Sequence, residues 1–127
     1  MGSWAEGYAA DTQYTTAYYA QFSPVSIDRS HFFQLHQPVR DSQEFRYFEL
    51  GCGTGLTTIL MAACHPEAYF EANDFMPEHV VIAQNLAAKL GIKNVHLSDA
   101  SFSDLNKKQF EYFDYIMAHG IYSWVSE

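Results

Sequence analysis

From Phe45 to the end of the chain, short apolar runs alternate with longer segments whose apolar residues recur at helical spacing. The runs have the length and the aromatic or branched content of buried strands. They are FRYFEL, AYFEAND, KNVHLSD and FDYIMAH, beginning at positions 45, 68, 93 and 113. Strands that alternate with helices are typical of a parallel sheet. We therefore predict an α/β fold, a Rossmann-like doubly wound parallel sheet, truncated after about four strands.

The segments between the strands predict the helices. GLTTILMAACH and MPEHVVIAQNLAAKLG have helical patterns, and SFSDLNKKQ predicts a helical or irregular crossover. Pro77 stands in the first turn of the longest helix and Gly91 follows its last turn. The apolar face of that helix is predicted to contain Val80, Val81, Leu86 and Leu90.

The N-terminal part differs in composition, which predicts a helical or lid segment over residues 1–42 and an incomplete half-domain over 43–127. A short helix is predicted from Thr15 to Phe22, ended before Pro24. A second helical turn in SIDRSHFFQLHQP is predicted to be capped by Asp28 or Ser30 and closed by Pro38.

The fourth predicted strand should lie beside the first, with its other edge unpaired. An open edge of this kind can pair with another chain, so we expect a homo-oligomer through it or a longer protein that completes the sheet.

Composition narrows the classes of partner. The 127 residues correspond to one domain or less, and 15 acidic against 7 basic residues give a formal charge of −8. Such a surface disfavours nucleic acid and membrane surfaces as partners. The two cysteines form no CxxC pattern, no secretory apolar segment is recognisable, and the six histidines form no metal-ligand pair. We expect a cytoplasmic location and no metal.

The stretch YFELGCGTGL, residues 47–56, contains the strongest chemical motif. Gly51 and Gly53 allow a tight turn and let a ligand lie against the backbone, and Gly55 allows the next helix to pack closely. The dinucleotide pattern GxGxxG would need a third glycine where Leu56 stands. The spacing here is ExGxGxG, and the leading Glu49 suits a ligand ammonium group better than a pyrophosphate.

Acidic residues also follow the second and third predicted strands. Asp74 could accept hydrogen bonds from both hydroxyls of a ribose, a feature that dinucleotide-binding proteins share. Phe75 or Met76 could lie against a purine face. Asp99 could accept from an exocyclic adenine amine while the N–H of Ala100 donates to a ring nitrogen. An adenosine that carries an amino-acid end would satisfy all of these groups.

These motifs resemble those of a known family. FELGCGTG, NDFMPE, LSDASF and FDYIMAHG are similar to the successive motifs of class I S-adenosylmethionine-dependent methyltransferases. EGYAADTQYTTAYYAQFSP with HGIYSWVSE resembles bacterial methyltransferases that carry a methyltransferase regulatory domain further downstream. The resemblance implies a seven-stranded sheet, S-adenosyl-L-methionine as the cofactor and transfer of a methyl group to an unidentified acceptor. The alternative is a non-catalytic module that binds the cofactor or associates with another chain.

Several side chains have two interpretations. His119 follows the fourth predicted strand and could contact the acceptor as a base, or serve as a structural hydrogen-bonding residue. Tyr8, Tyr14 and Tyr18 could form an aromatic lid over a sulfonium, or simply pack. Cys52 is expected to contribute its backbone rather than a reactive thiol. The residues predicted to bind the cofactor are Glu49, Gly51, Cys52, Gly53, Gly55, Asp74, Phe75, Met76, Asp99, Ala100, Tyr14 and Tyr18.

Overall fold

The structure is a computed structural model, which describes residues 15–35 and 42–122. A 3₁₀ turn at Ala20–Phe22 precedes four helices and four strands. In chain order these are α1 Pro24–Leu35, β1 Arg46–Leu50, α2 Leu56–Cys64, β2 Tyr69–Asn73, α3 Pro77–Leu90, β3 Val95–Ser98, α4 Phe102–Leu105 and β4 Tyr115–Ala118.

The strands form one parallel sheet in the order β3-β2-β1-β4. Phe48 of β1 is paired with Glu71 of β2 on one side and with Ile116 of β4 on the other. The order reverses between β1 and β4, which is where ligands bind in doubly wound sheets, beyond the carboxyl ends of the strands. The predicted Rossmann-like α/β fold is confirmed, including the position of the fourth strand beside the first.

Helices cover the two faces of the sheet unequally. On one face, aromatic residues of β1, β2 and β4 form a buried cluster with α2, whose largest members are Tyr47, Phe70 and Tyr115. On the other face Phe48 packs with Leu105 of the short helix α4. Three helices, α1, α2 and α3, therefore pack on the first face, and the second face has the single turn of α4.

The predicted N-terminal helices are present in part. Of the span Thr15 to Phe22 only Ala20–Phe22 is helical, and it ends before Pro24 as predicted. The second helix, α1, begins earlier than predicted, at Pro24, because the hydroxyl of Ser23 accepts a hydrogen bond from the N–H of Ser26 and caps the first turn. Asp28 and Ser30 lie inside α1 and cap nothing. The Asp28 carboxylate instead accepts a hydrogen bond from the hydroxyl of Tyr115 at 2.8–2.9 Å, which ties α1 to β4. Pro38 lies outside the described residues.

The apolar face of α3 also differs from the prediction. The buried residues are Val80, Ala83 and Ala87, whereas Val81 and Leu90 are about half exposed. The spacing of three and four residues keeps the small side chains on one face, so α3 approaches its neighbours closely through alanines. Pro77 and Gly91 begin and end the helix as predicted.

The described part of the chain contains no helix with the length and apolar character to cross a membrane. Within the same residues, no group of three or more histidine, cysteine and acidic side chains is arranged to hold a metal ion.

Candidate functional site

The turn between β1 and α2 depends on three glycines in the left-handed conformation. Gly51, Gly53 and Gly55 have φ values of 68°, 56° and 74°. An L-residue in this conformation places its Cβ too close to the following carbonyl, so the turn requires residues without a side chain. The N–H of Cys52 donates to the carbonyl of Asn73 at 2.8 Å, which ties the turn to the end of β2.

Gly55 is required for a second reason. A Cβ built at this position would lie 2.8 Å from the Cβ of Ala83, so a side chain here would collide with α3. Gly55 is predicted to allow close packing of the helix on the sheet; the tightest contact of an added Cβ is with α3, and Leu97 of β3 also lies within 3.8 Å of it. At Gly51 a Cβ would meet Ile121 at 3.6 Å, an ordinary contact, so its conformation matters more than its space.

The carboxylate of Asp74 is held by groups of the protein itself. Its Oδ2 accepts a hydrogen bond from the N–H of Gly53 at 2.8 Å. Its Oδ1 accepts from the N–H of Met76 at 2.9 Å and lies 3.1 Å from Nδ1 of His79. Asp74 therefore orders the glycine turn and the entry to α3. A carboxylate has about four acceptor positions, so one remains for a ligand hydroxyl.

Glu49 is a buried carboxylate on the face of β1 that α2 covers. The hydroxyl of Thr58 in α2 donates a hydrogen bond to its Oε2. Burial raises the pKa of Glu49 to about 7; the charge of Asp74 acts in the same direction, and the hydrogen bond from Thr58 opposes it. Near neutral pH this group can therefore gain or lose a proton, and a nearby cation would favour the ionised form.

A small cavity lies beside the glycine turn. It is lined by Glu49, Gly51, Cys52 and His119 from the predicted set. The residues that complete it are Thr15, Ala17, Tyr19, Phe22, Thr54, Leu56 and Thr57. Its volume is about 10 Å³, which is room for roughly one water molecule. The sequence motif thus coincides with a cavity that holds a carboxylate and an imidazole.

Residues 15–19 lie across the turn and close this cavity; we call them the strap. Thr57 in the first turn of α2 makes two hydrogen bonds to the strap: its hydroxyl accepts from the N–H of Tyr19 at 3.1 Å and donates to the carbonyl of Ala17 at 3.3 Å. The hydroxyls of Thr16 and Thr54 are 3.2 Å apart. Sequence reasoning missed these threonines, because pairs almost 40 residues apart leave no local pattern.

His119 follows β4 and packs edge-on against two aromatic rings. Its ring centroid is 5.0 Å from that of Tyr19 and 4.7 Å from that of Phe22. His119 is an exposed residue, and its side chain also lines the cavity that contains Glu49. The imidazole is thus beside the glycine turn, fixed by rings from the N-terminal part.

The other predicted residues lie outside the small cavity, at the ends of β2 and β3. Phe75 and Met76 are partly buried, Asp99 is exposed, and Ala100 is buried. The side-chain amide of Asn73 donates to the carbonyl of Ala100 at 2.9 Å and so joins the two strand ends. These groups form a second cluster further along the same edge of the sheet.

The remaining predictions concern a thiol and the tyrosines. Cys52 is buried, and burial raises the pKa of its thiol well above the usual value, as the neighbouring Glu49 also does, so the thiol stays protonated. Tyr18 is 47% exposed, and the adjacent Tyr19 lines the cavity. Tyr14 lies outside the described residues, as does Tyr8.

Comparison with known proteins supports the fold and gives the family. The model of a family described as a methyltransferase domain matches residues 41–126. The uncharacterized protein sll1526 of Synechocystis is 40% identical over 124 residues, which is 98% of this chain and 24% of that protein. Release factor glutamine methyltransferase of Escherichia coli is 39% identical over 69 residues, covering 54% of this chain and 25% of the enzyme.

Two solved structures are similar in fold. PKMT2 from Rickettsia typhi in complex with AdoHcy is 29% identical with a TM-score of 0.63, covering 67% of this chain and 16% of the other. The structure of PKMT2 from Rickettsia typhi has a TM-score of 0.79 at 24% identity, covering 90% and 22%. The present chain thus spans about a quarter or less of these relatives, and it belongs to the class I S-adenosylmethionine-dependent methyltransferase family.

Proposed function

We propose that this chain binds S-adenosyl-L-methionine across the carboxyl ends of β1, β2 and β3, as the cofactor-binding part of a methyltransferase. The observation that carries the proposal is the arrangement of three left-handed glycines between two carboxylates, Glu49 and Asp74, at the point where the strand order reverses. Bare backbone and paired carboxylates suit a ligand with a ribose and an ammonium group. They suit a pyrophosphate poorly, because the carboxylates would repel it.

The amino-acid end of the ligand belongs next to Glu49 in this proposal. A ligand ammonium beside the buried carboxylate would replace the proton that burial favours, so binding would ionise Glu49. Gly55 precedes α2 without a side chain to cap the helix, so the first N–H groups of α2 can donate hydrogen bonds to a ligand carboxylate. A zwitterionic amino acid would satisfy both charges.

The nucleoside end belongs to the second cluster. Asp74 retains one acceptor position on Oδ2 for a ribose hydroxyl, directly beside the N–H of Gly53. Phe75 and Met76 offer apolar surface for a purine ring, and Asp99 with Ala100 would recognise its edge. Met76 is held in place because its N–H donates to Asp74.

The size of the cavity adds a requirement. A bound nucleoside of this size needs a site of several hundred cubic ångströms, on the order of 300 or more. The cavity beneath the strap is about 10 Å³. Entry of the amino-acid end therefore requires residues 15–19 to move outward, and the three strap hydrogen bonds must break for it.

When bound, the cofactor would supply a methyl group on a sulfonium: an acceptor's electron pair would bond to the methyl carbon as the carbon–sulfur bond breaks, and S-adenosylhomocysteine would leave with that pair. The protein's share of such a reaction is to align the acceptor, and a base is an additional aid. His119 lies closest to that role, because its imidazole lines the cavity, and histidine is the side chain most often used as a general base. We propose His119 as an acceptor contact whose position depends on the rings of Tyr19 and Phe22.

A second function has one observation in its favour. Within the described residues β4 pairs only with β1, and Ile116 of β4 is 61% exposed. A strand with one unpaired edge and an exposed apolar side chain favours a module that associates with another chain or polypeptide segment, with or without catalysis.

Isothermal titration separates these proposals from a nicotinamide-binding one. We expect S-adenosylhomocysteine to bind the 127-residue chain with a dissociation constant in the micromolar range, about −8 kcal/mol, and NADH to bind at least tenfold more weakly. A preference for NADH would contradict the cofactor assignment. Binding of neither ligand by a folded chain would favour the association module.

A further inference from the structure

Asn73, the last residue of β2, is a polar side chain in an unusual place. It is 1% exposed and is among the most completely buried side chains of the protein. An amide that leaves water is unfavourable unless hydrogen bonds replace those that it loses. Asn73 occupies a strand position where an aliphatic residue would pack without that cost, so its bonds need to be examined.

The bonds of Asn73 reach both neighbouring turns. Its backbone carbonyl accepts from the N–H of Cys52 at 2.8 Å, in the glycine turn after β1. Its side-chain Nδ2 donates to the carbonyl of Ala100 at 2.9 Å, in the turn after β3. Asn73 therefore connects the turn after β1 with the turn after β3 and fixes the distance between them.

The turn after β3 is held at its other end by Ser101. The hydroxyl of Ser101 accepts from the N–H of Asp104 at 3.1 Å and caps α4. The segment 98–101 is thus fixed by Asn73 below it and by the helix cap beyond it. Asp99 is the exposed side chain that this segment presents.

In the described part of the chain the side-chain oxygen of Asn73, Oδ1, is buried without a hydrogen-bond partner. The hydroxyl of Ser98 is buried without a partner in the same way. The two residues are paired in register across β2 and β3, so their side chains lie on the same face of the sheet. Leaving such groups unpaired destabilises the fold. Because only the nitrogen of this amide is hydrogen-bonded, stability alone does not explain an asparagine at this position.

We infer that Asn73 is a positioning residue: by holding the Ala100 carbonyl it fixes the 98–101 turn in the geometry that distinguishes adenine from other purines. This inference rests on the proposed cofactor function. Asp99 as an acceptor and the Ala100 N–H as a donor match the amine and N1 of adenine. Hypoxanthine presents an oxygen and an N1–H there, so both contacts reverse their polarity.

The test compares two ligands on three forms of the 127-residue chain. The dissociation constants of S-adenosylhomocysteine and S-inosylhomocysteine are measured by titration calorimetry for the wild type, Asn73→Ala and Asn94→Ala. Asn94 is the matched control, because its amide donates to the carbonyls of Ala62, His65 and Ala68 at 2.9–3.1 Å, near the start of β3 and away from the proposed site.

The wild type is expected to prefer the adenine ligand by about tenfold or more. Asn73→Ala should lower the preference to under about threefold, by weakening the binding of the adenine ligand. Asn94→Ala should unfold more readily and keep the wild-type preference. If Asn73→Ala does not fold, Asn73→Leu, which fills the same space without a donor, should show the same reduced preference.

Two results would overturn the inference, and they differ in meaning. A wild type that binds S-adenosylhomocysteine while a folded Asn73 variant retains the full preference removes Asn73 from purine discrimination and leaves the proposed function intact. A folded wild type that binds neither ligand overturns the proposed function and this inference with it.

Discussion

The carboxylate of Asp74 at the end of β2 accepts a hydrogen bond of 2.8 Å from the backbone N–H of Gly53 in the turn after β1. The contact joins the turn after β1 to the loop after β2, in addition to the backbone hydrogen bond from Cys52 to Asn73. It means that the residue proposed to bind the ribose also holds the turn on which the rest of the ligand would lie. Loop geometry and ligand affinity therefore depend on the same side chain.

Replacement of Asp74 should affect both folding and binding. Asp74→Ala removes the acceptor of two backbone N–H groups and the partner of His79, so the free energy of unfolding should fall by about 2–3 kcal/mol. The affinity for S-adenosylhomocysteine should fall about tenfold or more. Urea denaturation and titration calorimetry measure the two effects.

Asp99→Ala is the matched control for this variant. Asp99 is exposed, so its replacement should change the free energy of unfolding by no more than about 0.5 kcal/mol. It should still lower the affinity for S-adenosylhomocysteine. Equal losses of stability in the two variants would contradict the role given to Asp74 in ordering the loops.

Glu49 should make folding stability decrease with pH. Its pKa is raised from the ordinary value of 4.5 to about 7, so between these values the folded chain binds more protons than the unfolded chain. The stabilisation is fully present below pH 4.5 and is lost as pH rises to about 7, a total of roughly 3 kcal/mol. Glu49→Gln cannot ionise, and it should flatten this part of the profile.

Denaturant unfolding at a series of pH values from 4 to about 8 checks the Glu49 prediction. The informative quantity is the difference between wild type and Glu49→Gln, since other groups titrate in both. Parallel profiles for the two proteins would mean that the pKa of Glu49 is the same in the folded and the unfolded chain, and that burial does not raise it.

Among Gly51, Gly55, Gly91 and Gly120, Gly55 should tolerate a side chain least. Gly55→Ala adds a Cβ 2.8 Å from that of Ala83 at a φ of 74°. Gly91 has a similar φ of 69° but nothing within 4 Å of an added Cβ, so Gly91→Ala measures the conformational cost alone, about 1–2 kcal/mol. Gly55→Ala should cost about 1–3 kcal/mol more because of the collision.

A double-mutant cycle distinguishes the collision from strain. Ala83→Gly removes the opposing Cβ, so in the background of Gly55→Ala it should recover part of the lost stability, about 1 kcal/mol of coupling. Thermal unfolding of the four proteins gives the value. Additive effects would show that α2 and α3 do not meet at this point.

The strap should loosen when Thr57 loses its hydroxyl. Thr57→Val cannot accept from the N–H of Tyr19 or donate to the carbonyl of Ala17, and amide hydrogen exchange at Tyr19 should quicken about tenfold. Thr57→Ser keeps the hydroxyl and should retain most of the protection. Equal exchange in wild type and Thr57→Val would contradict closure of the cavity by this contact.

The regular part of the fold could be predicted from the sequence because its signals are local. β1 has an aromatic-rich run before a glycine turn, and α3 has Pro77 and Gly91 at its ends. At Pro24 the local signal was ambiguous, because proline after a serine can either stop a helix or begin one. The choice depends on the cap by Ser23 and on the bond between Asp28 and Tyr115, which are 87 residues apart.

The candidate site was partly predictable for the same reason. Glu49 and the glycines with left-handed backbone lie in one sequence motif, so the sequence predicts Glu49 and Gly51 together. Thr58 was not, since its contact with Glu49 depends on where α2 packs. Nor was Asn73, whose role follows from a bond to Ala100 across two strands.

The most direct test of the account is a binding cycle on the Glu49 carboxylate. S-adenosylhomocysteine and its analogue that lacks the α-amino group are titrated into wild type and Glu49→Gln at a pH of about 8, where a ligand ammonium would face an ionised carboxylate. The account predicts that the wild type prefers the amine-bearing ligand by about tenfold or more, and that Glu49→Gln loses this preference. An equal preference in both proteins would contradict the assignment of the glycine turn to an amino-acid-bearing adenosine.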